Sequence, residues 1–164
     1  MITHTVKMTI PNATAESFYN CMISPTDDWY KRWLPDEHFE FHIVKRGQEN
    51  HLGDLIYYDE TLGTAKHRLK FYAVVTVADR PNRVVFQMRK FGLNLPGFLE
   101  LEFIDTDDGL ALKHEVRIGW RGLGRVIDPI LRLFFNRAFF EALEGHCDRE
   151  WLCLAKILEV SKNV

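Results

Sequence analysis

The sequence predicts an α+β fold in which an antiparallel sheet of six to seven strands curves around one long C-terminal helix. Apolar and polar residues alternate over several short runs between Thr3 and Trp120, as in strands with one buried face. Short turn signals separate these runs, which favours antiparallel hairpins. From Asp128 to about Val160 the apolar residues recur at helical spacing instead. That helix is the one element large enough to cover a face of the sheet.

Length and composition restrict the class of protein. A chain of 164 residues is the size of one domain, so we expect a single domain over residues 1–164. The net charge is −2 and the charges are interspersed, which argues against nucleic-acid binding. The three cysteines are odd in number and no signal peptide is recognisable, which predicts a cytoplasmic protein. The apolar stretch around 126–143 carries too many charges for stable membrane insertion.

The N-terminal part is predicted to contain one strand and two short helices. The strand covers Thr3 to Ile10 and ends at Pro11. Asn12 or Thr14 can cap the first helix, and the second, aromatic helix follows the capping residues 26–28.

Six further strands and the long helix complete the prediction. The strands are expected at Phe39–Arg46, Asp54–Glu60, Ala65–Ala78, Arg83–Phe91, Phe98–Ile104 and Leu110–Trp120. Leu95-Pro96-Gly97 is one of the turn signals between them. Asp128-Pro129 combines an N-cap with proline at the first helical position. A helix from there to Val160 would be roughly 45 Å long, so we expect a kink, with Gly145 as a candidate.

This order of elements resembles the START-like, or Bet v 1-like, helix-grip superfamily. The resemblance also rests on Asn-Ala-Thr-Ala-Glu-Ser-Phe at 12–18 and on Trp-Leu-Pro at 33–35. It implies a small hydrophobic molecule as ligand, bound in a cavity between sheet and helix. Members include carriers and polyketide cyclases, so the resemblance does not choose between binding and catalysis.

Two polar residues interrupt the apolar face of the last helix. His146 and Glu150 fall in the same helical sector as Phe139, Leu143 and Leu154. A buried carboxylate without a partner costs several kcal/mol. Glu150 therefore requires a proton, a cation or a metal.

Strand alternation directs other polar groups to the same interior. His67 shares parity with Leu69, and His114 shares parity with Leu112. If 61–64 is a hairpin loop, Glu60 pairs with Ala65 and Tyr58 with His67, on one face.

This cluster has three interpretations. Two imidazoles and two carboxylates suit zinc or another divalent metal. Alternatively, His146 oriented by Glu150 forms a metal-free acid/base pair, or the polar groups only orient a ligand.

The helical His-x-x-x-Glu pair and Trp-Leu-Pro-Asp-Glu-His at 33–38 are similar to the metal-binding pattern of the diacetylphloroglucinol hydrolase branch of this superfamily. The resemblance implies His38, Glu60, His146 and Glu150 as zinc ligands, with a zinc-activated water that cleaves a carbon–carbon bond next to an aryl ketone. Strand parity conflicts with this for His38, because it places His38 with Glu40 and opposite Phe41 unless His38 precedes the strand.

We therefore consider two functions. The first is a metal-dependent hydrolase of an acylated aromatic or ketone, with His67, His114 or Tyr58 transferring protons. The second is a metal-free carrier or cyclase-like domain for a polyketide, lipid or quinone. In both cases the expected ligand-binding residues are Trp29, Trp33, Phe71, Met88 and Leu143.

A third possibility is a ligand-gated interaction module, because four apolar residues exceed what one helix face can bury: Leu131, Leu133, Phe134 and Phe135. The same residues alternatively predict a homodimer contact or a cavity lid.

Overall fold

The strands form one antiparallel sheet, and a long helix covers one of its faces. The computed structural model describes residues 1–63, 67–120 and 128–162. The strands are β1 (Ile2–Ile10), β2 (His38–Lys45), β3 (Leu55–Thr61), β4 (Arg68–Asp79), β5 (Arg83–Lys90), β6 (Leu93–Thr106) and β7 (Gly109–Ile118). The helices are α1 (Ala15–Ile23), α2 (Asp27–Trp33), α3 (Asp128–Phe134) and α4 (Arg137–Lys162). The predicted α+β class with a curved sheet and a C-terminal helix is confirmed.

The sheet order is β1-β7-β6-β5-β4-β3-β2. The first strand returns to pair with the last, and β2 lies at the opposite edge. Along β7 every second residue from Leu110 to Ile118 is buried, which confirms the predicted alternation and directs His114 inward. The buried residues of α4, including Leu143, Cys147 and Leu154, belong to the same core as those of the sheet.

The two N-terminal helices, α1 and α2, both begin at threonine caps. The Thr14 side chain accepts a hydrogen bond from the backbone N–H of Ser17 at the start of α1. Thr26 accepts from the N–H of Trp29 at the start of α2. At the end of α2, the Leu34 carbonyl accepts from the N–H groups of Glu37 and His38, so the chain turns from the aromatic helix directly into β2.

A β-bulge resolves the parity conflict at His38. The β2 register shifts between His38 and Glu40, and an extra residue in one strand changes the face on which the preceding side chain lies. His38 and Phe41 are consequently both buried.

The β3–β4 register differs from the prediction. Tyr58 lies opposite Phe71 and Glu60 opposite Leu69. These partners lie four residues further along the chain than the predicted ones. The last pair is Thr61 with Arg68, so the connection between the two strands is longer than the predicted loop 61–64. Ala65 lies outside the described residues. A shift by an even number leaves Tyr58 and Glu60 on the predicted face, but His67 precedes the strand.

The turn between β5 and β6 is also different. It lies at Phe91 and Gly92, which both have positive φ, and β6 continues through Pro96 and Gly97. The register shift between Gln87 and Arg89 absorbs the extra residues. A Cβ on Gly97 would approach Met88 Sδ to 2.7 Å, so this glycine permits close strand contact rather than a turn. β7 ends at Ile118, short of Trp120.

The C-terminal helical region is interrupted at Asn136, not at Gly145. Asn136 Oδ1 accepts a hydrogen bond from the N–H of Phe139 at 3.1 Å and thereby caps α4. Gly145 lies inside the continuous α4. Within the described ranges, no helix is long and apolar enough to cross a membrane.

Candidate functional site

A cavity of about 310 Å³ lies between the sheet and α4. Its walls are mainly apolar, and four of the expected ligand-binding residues line it: Trp33, Phe71, Met88 and Leu143. Trp29 does not belong to the described lining; it is half-buried, and the neighbouring Tyr30 lines the cavity instead.

Four polar residues form a cluster at this cavity; Glu60, His146 and Glu150 are among its described lining residues, whereas the buried His38 is not. His38 and Glu60 are cross-strand partners on β2 and β3, and His146 and Glu150 stand one turn apart on α4. His38 Nε2 lies 3.3 Å from His146 Nε2. Glu150 carboxylate oxygens lie 3.7 Å from His38 Nε2 and 3.8 Å from His146 Nε2. One ligand atom each of His38, Glu60 and His146 fits within 4.8 Å of the others.

Hydrogen bonds at the other ring nitrogens determine the tautomers of both histidines. His38 Nδ1 lies 3.1 Å from the Tyr30 carbonyl oxygen, and His146 Nδ1 lies 2.7 Å from Glu37 Oε2. A carbonyl oxygen and a carboxylate can only accept, so each Nδ1 carries the hydrogen and donates. Each neutral ring then presents a bare Nε2 lone pair to the other. Two lone pairs at 3.3 Å repel, unless a proton or a metal ion lies between them.

Glu37 holds the His146 ring and is itself held by several donors. It accepts from Arg149 Nη2 at 2.6 Å and from the N–H of Gly63 at 2.7 Å. Burial raises the pKa of Glu37, but the hydrogen bonds from His146 and Arg149 outweigh it and the pKa is lowered overall. Sequence reasoning missed Glu37 and Arg149, although each is adjacent to a candidate ligand.

Tyr30 supports the strand side of the cluster. Its hydroxyl donates a hydrogen bond to Glu60 Oε2, and its ring stacks on His38 with centroids 3.8 Å apart. Burial raises the pKa of Tyr30 well above its usual range, so the hydroxyl remains a donor. The sequence places Tyr30 in the short aromatic helix and gives no sign of its contacts with Glu60 and His38.

Burial determines the charges of the ion-free cluster. Burial, together with the nearby His146, lowers the pKa of His38 to about 3. It raises the pKa of Glu150 well above the usual carboxyl range, with Glu60 and Glu37 contributing. Without a metal ion, His38 is therefore neutral at neutral pH, and burial favours the protonated form of Glu150.

The three residues expected to transfer protons occupy different places. Tyr58 lines the cavity, and its buried hydroxyl has no hydrogen-bond partner in the described chain. His114 also lines the cavity, with Nδ1 2.7 Å from Cys147 Sγ, and burial lowers the pKa of His114 to about 3. His67 is not among the described lining residues; its ring contacts Phe139 edge-on with centroids 6.0 Å apart.

A second group of possible metal ligands lies near the surface and comprises Asp27, Glu40 and His42. Asp27 Oδ1 already accepts from the N–H of Phe41 and contacts His42 Nδ1, both at 2.8 Å. These bonds join the start of α2 to β2, which is a sufficient structural role.

Comparison with known proteins identifies the fold. No protein-family model matches the chain, and no curated protein matches it either. Among solved structures, Protein Ms6760 from Mycobacterium smegmatis matches with a TM-score of 0.61 at 14% identity, covering 97% of this chain and 92% of that one. Major latex-like protein 151 from Panax ginseng matches with a TM-score of 0.56 at 10% identity, covering 88% of this chain and 96% of that one.

The chain has a Bet v 1-like helix-grip fold. A third solved structure, the Aha1 dimer from Colwellia psychrerythraea, matches this chain with a TM-score of 0.50 at 14% identity, covering 88% of this chain and 94% of that one. At such identities the likeness concerns the fold, and function has to be argued from the site.

Proposed function

We propose that this protein is a metal-dependent hydrolase of a small, largely apolar carbonyl compound such as an acylated aromatic or a ketone. The observation that carries the proposal is the pair of Nε2 atoms 3.3 Å apart, with both Nδ1 atoms engaged by acceptors. This arrangement is unfavourable for two neutral imidazoles alone and suits two imidazoles that share a cation.

The metal ligands in this proposal are His38 and His146 through Nε2 and Glu60 and Glu150 through their carboxylates. Nitrogen and carboxylate donors suit zinc or a similar divalent ion. When bound, such an ion polarises a carbonyl oxygen and makes water acidic enough to attack. Glu37 and the Tyr30 carbonyl hold the two rings in the ligating orientation, and the Tyr30 hydroxyl holds Glu60.

The cavity walls orient the substrate and exclude water. Trp33, Phe71 and Leu143 provide apolar contact for an aromatic or alkyl group. The Tyr58 hydroxyl is a donor without an acceptor inside the described cavity, and a buried donor left unpaired costs about 1–3 kcal/mol. A ligand oxygen relieves this cost, so Tyr58 favours an oxygen-bearing ligand and can donate to it, with His114 as a second candidate donor.

Metal analysis of the purified protein tests the proposal. After incubation with zinc and removal of excess, we expect one bound zinc ion per chain in the parent and its loss in His146→Ala and Glu150→Ala. His42→Ala is the matched control, because it removes a histidine from the surface group and should retain the zinc. A parent that binds no zinc, cobalt or manganese would refute the metal site.

A metal-free carrier is the alternative, and the charges of the ion-free cluster favour it. Burial favours the uncharged forms of Glu150 and His38, so the cluster does not need a cation to balance buried charge. A parent that takes up no divalent metal but binds an apolar fluorescent probe in the cavity would support the carrier. Leu143→Trp should then displace the probe by filling the cavity.

A further inference from the structure

Large apolar side chains are exposed on two segments of the chain. Phe91 and Leu93, at the β5–β6 turn, are 91% and 71% exposed. Leu133 and Phe134, on α3, are 73% and 70% exposed. We call these four residues the mouth patch. Single exposed apolar residues are ordinary, whereas a group of them marks an interaction surface.

Both segments are next in sequence to residues that line the same cavity. Lys90 and Leu95, which flank the β5–β6 turn, are lining residues, and so is Phe135, which follows α3 directly. All four residues of the mouth patch therefore lie within two positions of a cavity-lining residue. A surface bound to the patch would lie near the cavity.

The fold gives only a weak reason for an aromatic residue at position 91, a contact with the neighbouring Lys90, whose Nζ lies 5.7 Å from the ring centroid. Phe91 has φ of 51°, a left-handed conformation that is costly for a bulky side chain. Its ring contributes almost nothing to the core, because it is nearly fully exposed. A glycine or asparagine would suit this turn better, so the phenylalanine is best explained by a contact outside the chain.

The charges next to the mouth patch determine the kind of partner. Arg89 and Lys90 precede Phe91, and the sequence from Met88 to Leu99 contains no acidic residue. On α3, Arg132 stands beside Leu133. Apolar side chains flanked by cations suit the interface of a bilayer with anionic headgroups: the apolar groups enter the acyl boundary and the cations contact the phosphates.

We propose that the mouth patch binds the surface of an anionic lipid bilayer, so that an apolar ligand passes between bilayer and cavity without crossing water. The proposal rests on exposure, charge and cavity position, and holds whether the cavity is catalytic or only a carrier. It needs no spanning helix, because the contact is peripheral.

Co-sedimentation with lipid vesicles tests it. We expect binding to vesicles containing phosphatidylglycerol, little binding to pure phosphatidylcholine, and release as the salt concentration rises. Phe91→Ser and Leu133→Ser should each weaken binding about tenfold, and Lys90→Gln about fivefold. Ile104→Ser, at a residue 57% exposed on β6, is the matched control and should bind as the parent does.

Three results would overturn the proposal: no binding of the parent to anionic vesicles, equal losses in Phe91→Ser and Ile104→Ser, or a dimer in solution that Phe91→Ser dissociates. The last result would assign the mouth patch to a second copy of this chain. All variants lie at exposed positions, and circular dichroism checks that each is folded. Zinc analysis of Phe91→Ser should equal the parent value, which separates this proposal from the metal site.

Discussion

At the residue scale, the orientation of the His146 ring depends on Glu37. Glu37 accepts from His146 Nδ1 at 2.7 Å and is bound in turn by Arg149 and the Gly63 N–H. Groups that hold a ligating histidine contribute about 10–100-fold to metal affinity. Sequence periodicity selects none of the three groups Glu37, Arg149 and Gly63 that surround His146 Nδ1 or its acceptor.

Glu37→Ala should weaken zinc binding by at least about tenfold, because the His146 ring loses its acceptor and can adopt the other tautomer. Glu37→Gln should lose less, since an amide oxygen still accepts. Competition with a chromophoric chelator measures the affinities. Glu141→Ala, at an exposed carboxylate paired with Arg137, is the control. Equal affinities in Glu37→Ala and the parent would exclude this role of Glu37.

Glu150 should make the metal-free protein less stable as the pH rises. Burial raises its folded-state pKa above the ordinary 4.5, so the folded state binds this proton more tightly than the unfolded state does. The stabilising contribution is complete below about pH 4.5 and is lost as the pH rises through the folded pKa.

Glu150→Gln removes this titration. With a chelator present, the unfolding free energy of Glu150→Gln relative to the parent should increase from about pH 5 upward, by at most about 1.4 kcal/mol per pH unit. Urea denaturation at several pH values measures it. A difference that does not vary with pH would show that Glu150 has the same pKa in both states.

At the scale of elements, the helix α4 supplies half of the candidate ligands and determines how far they stand from β2 and β3. Its start at the Asn136 cap separates it from α3. The interruption allows α3 to expose Leu133 and Phe134 while α4 buries His146 and Glu150. Gly145, inside α4, is not needed for a kink.

Gly145→Ala should therefore stabilise the protein by about 0.5–1 kcal/mol. The added Cβ would lie 3.4 Å from Arg149 Nη1, at the end of a flexible side chain. Gly109→Ala is the contrasting variant: Gly109 has φ of +121° and its Cβ would lie 2.4 Å from the Ile10 carbonyl oxygen. It should be clearly destabilised. Urea denaturation compares both, and a destabilised Gly145→Ala would indicate that α4 needs this glycine.

A substitution of Phe91 in the β5–β6 turn should raise the stability of the protein and weaken its binding to vesicles. Phe91→Gly relieves the left-handed conformation at Phe91 and should stabilise the protein by about 1 kcal/mol, while vesicle binding falls as in Phe91→Ser. Thermal denaturation and co-sedimentation measure the two effects. A destabilised Phe91→Gly would instead mean that the ring packs within the protein.

At the scale of the whole molecule, the candidate metal site joins elements that are far apart in sequence. His38 and Glu60 belong to one edge of the sheet, and His146 and Glu150 belong to α4. A metal ion bound by all four would link the sheet edge to the helix. Such an ion would bind the folded state far better than the unfolded chain.

Zinc should therefore raise the melting temperature. At a free zinc concentration of about 100 times Kd, linkage predicts about 2.7 kcal/mol of added stability. His146→Ala and Glu150→Ala should show little or no zinc-dependent shift, and His42→Ala should shift as the parent does. A zinc-dependent shift that persists in His146→Ala would assign the stabilising ion to another place in the chain.

Much of this molecule could be predicted from local sequence patterns. Alternation predicted that His114 points inward on β7, and helical periodicity predicted that His146 and Glu150 share one buried face of α4; all three residues are buried. Both inferences succeed because side-chain direction follows from the repeat of the backbone, whatever the neighbours are. Register depends on loop length, and here the prediction failed: Tyr58 pairs with Phe71, not with His67.

The sequence by itself determined the α+β class, the order of elements and the polar residues that enter an apolar interior, because these follow from periodicity and turn chemistry. Only the tertiary structure decided that a β-bulge directs His38 inward, that Glu37 and the Tyr30 carbonyl leave two Nε2 atoms facing each other, and that the helical region breaks at Asn136. These features depend on contacts between residues distant in sequence, which local patterns do not encode.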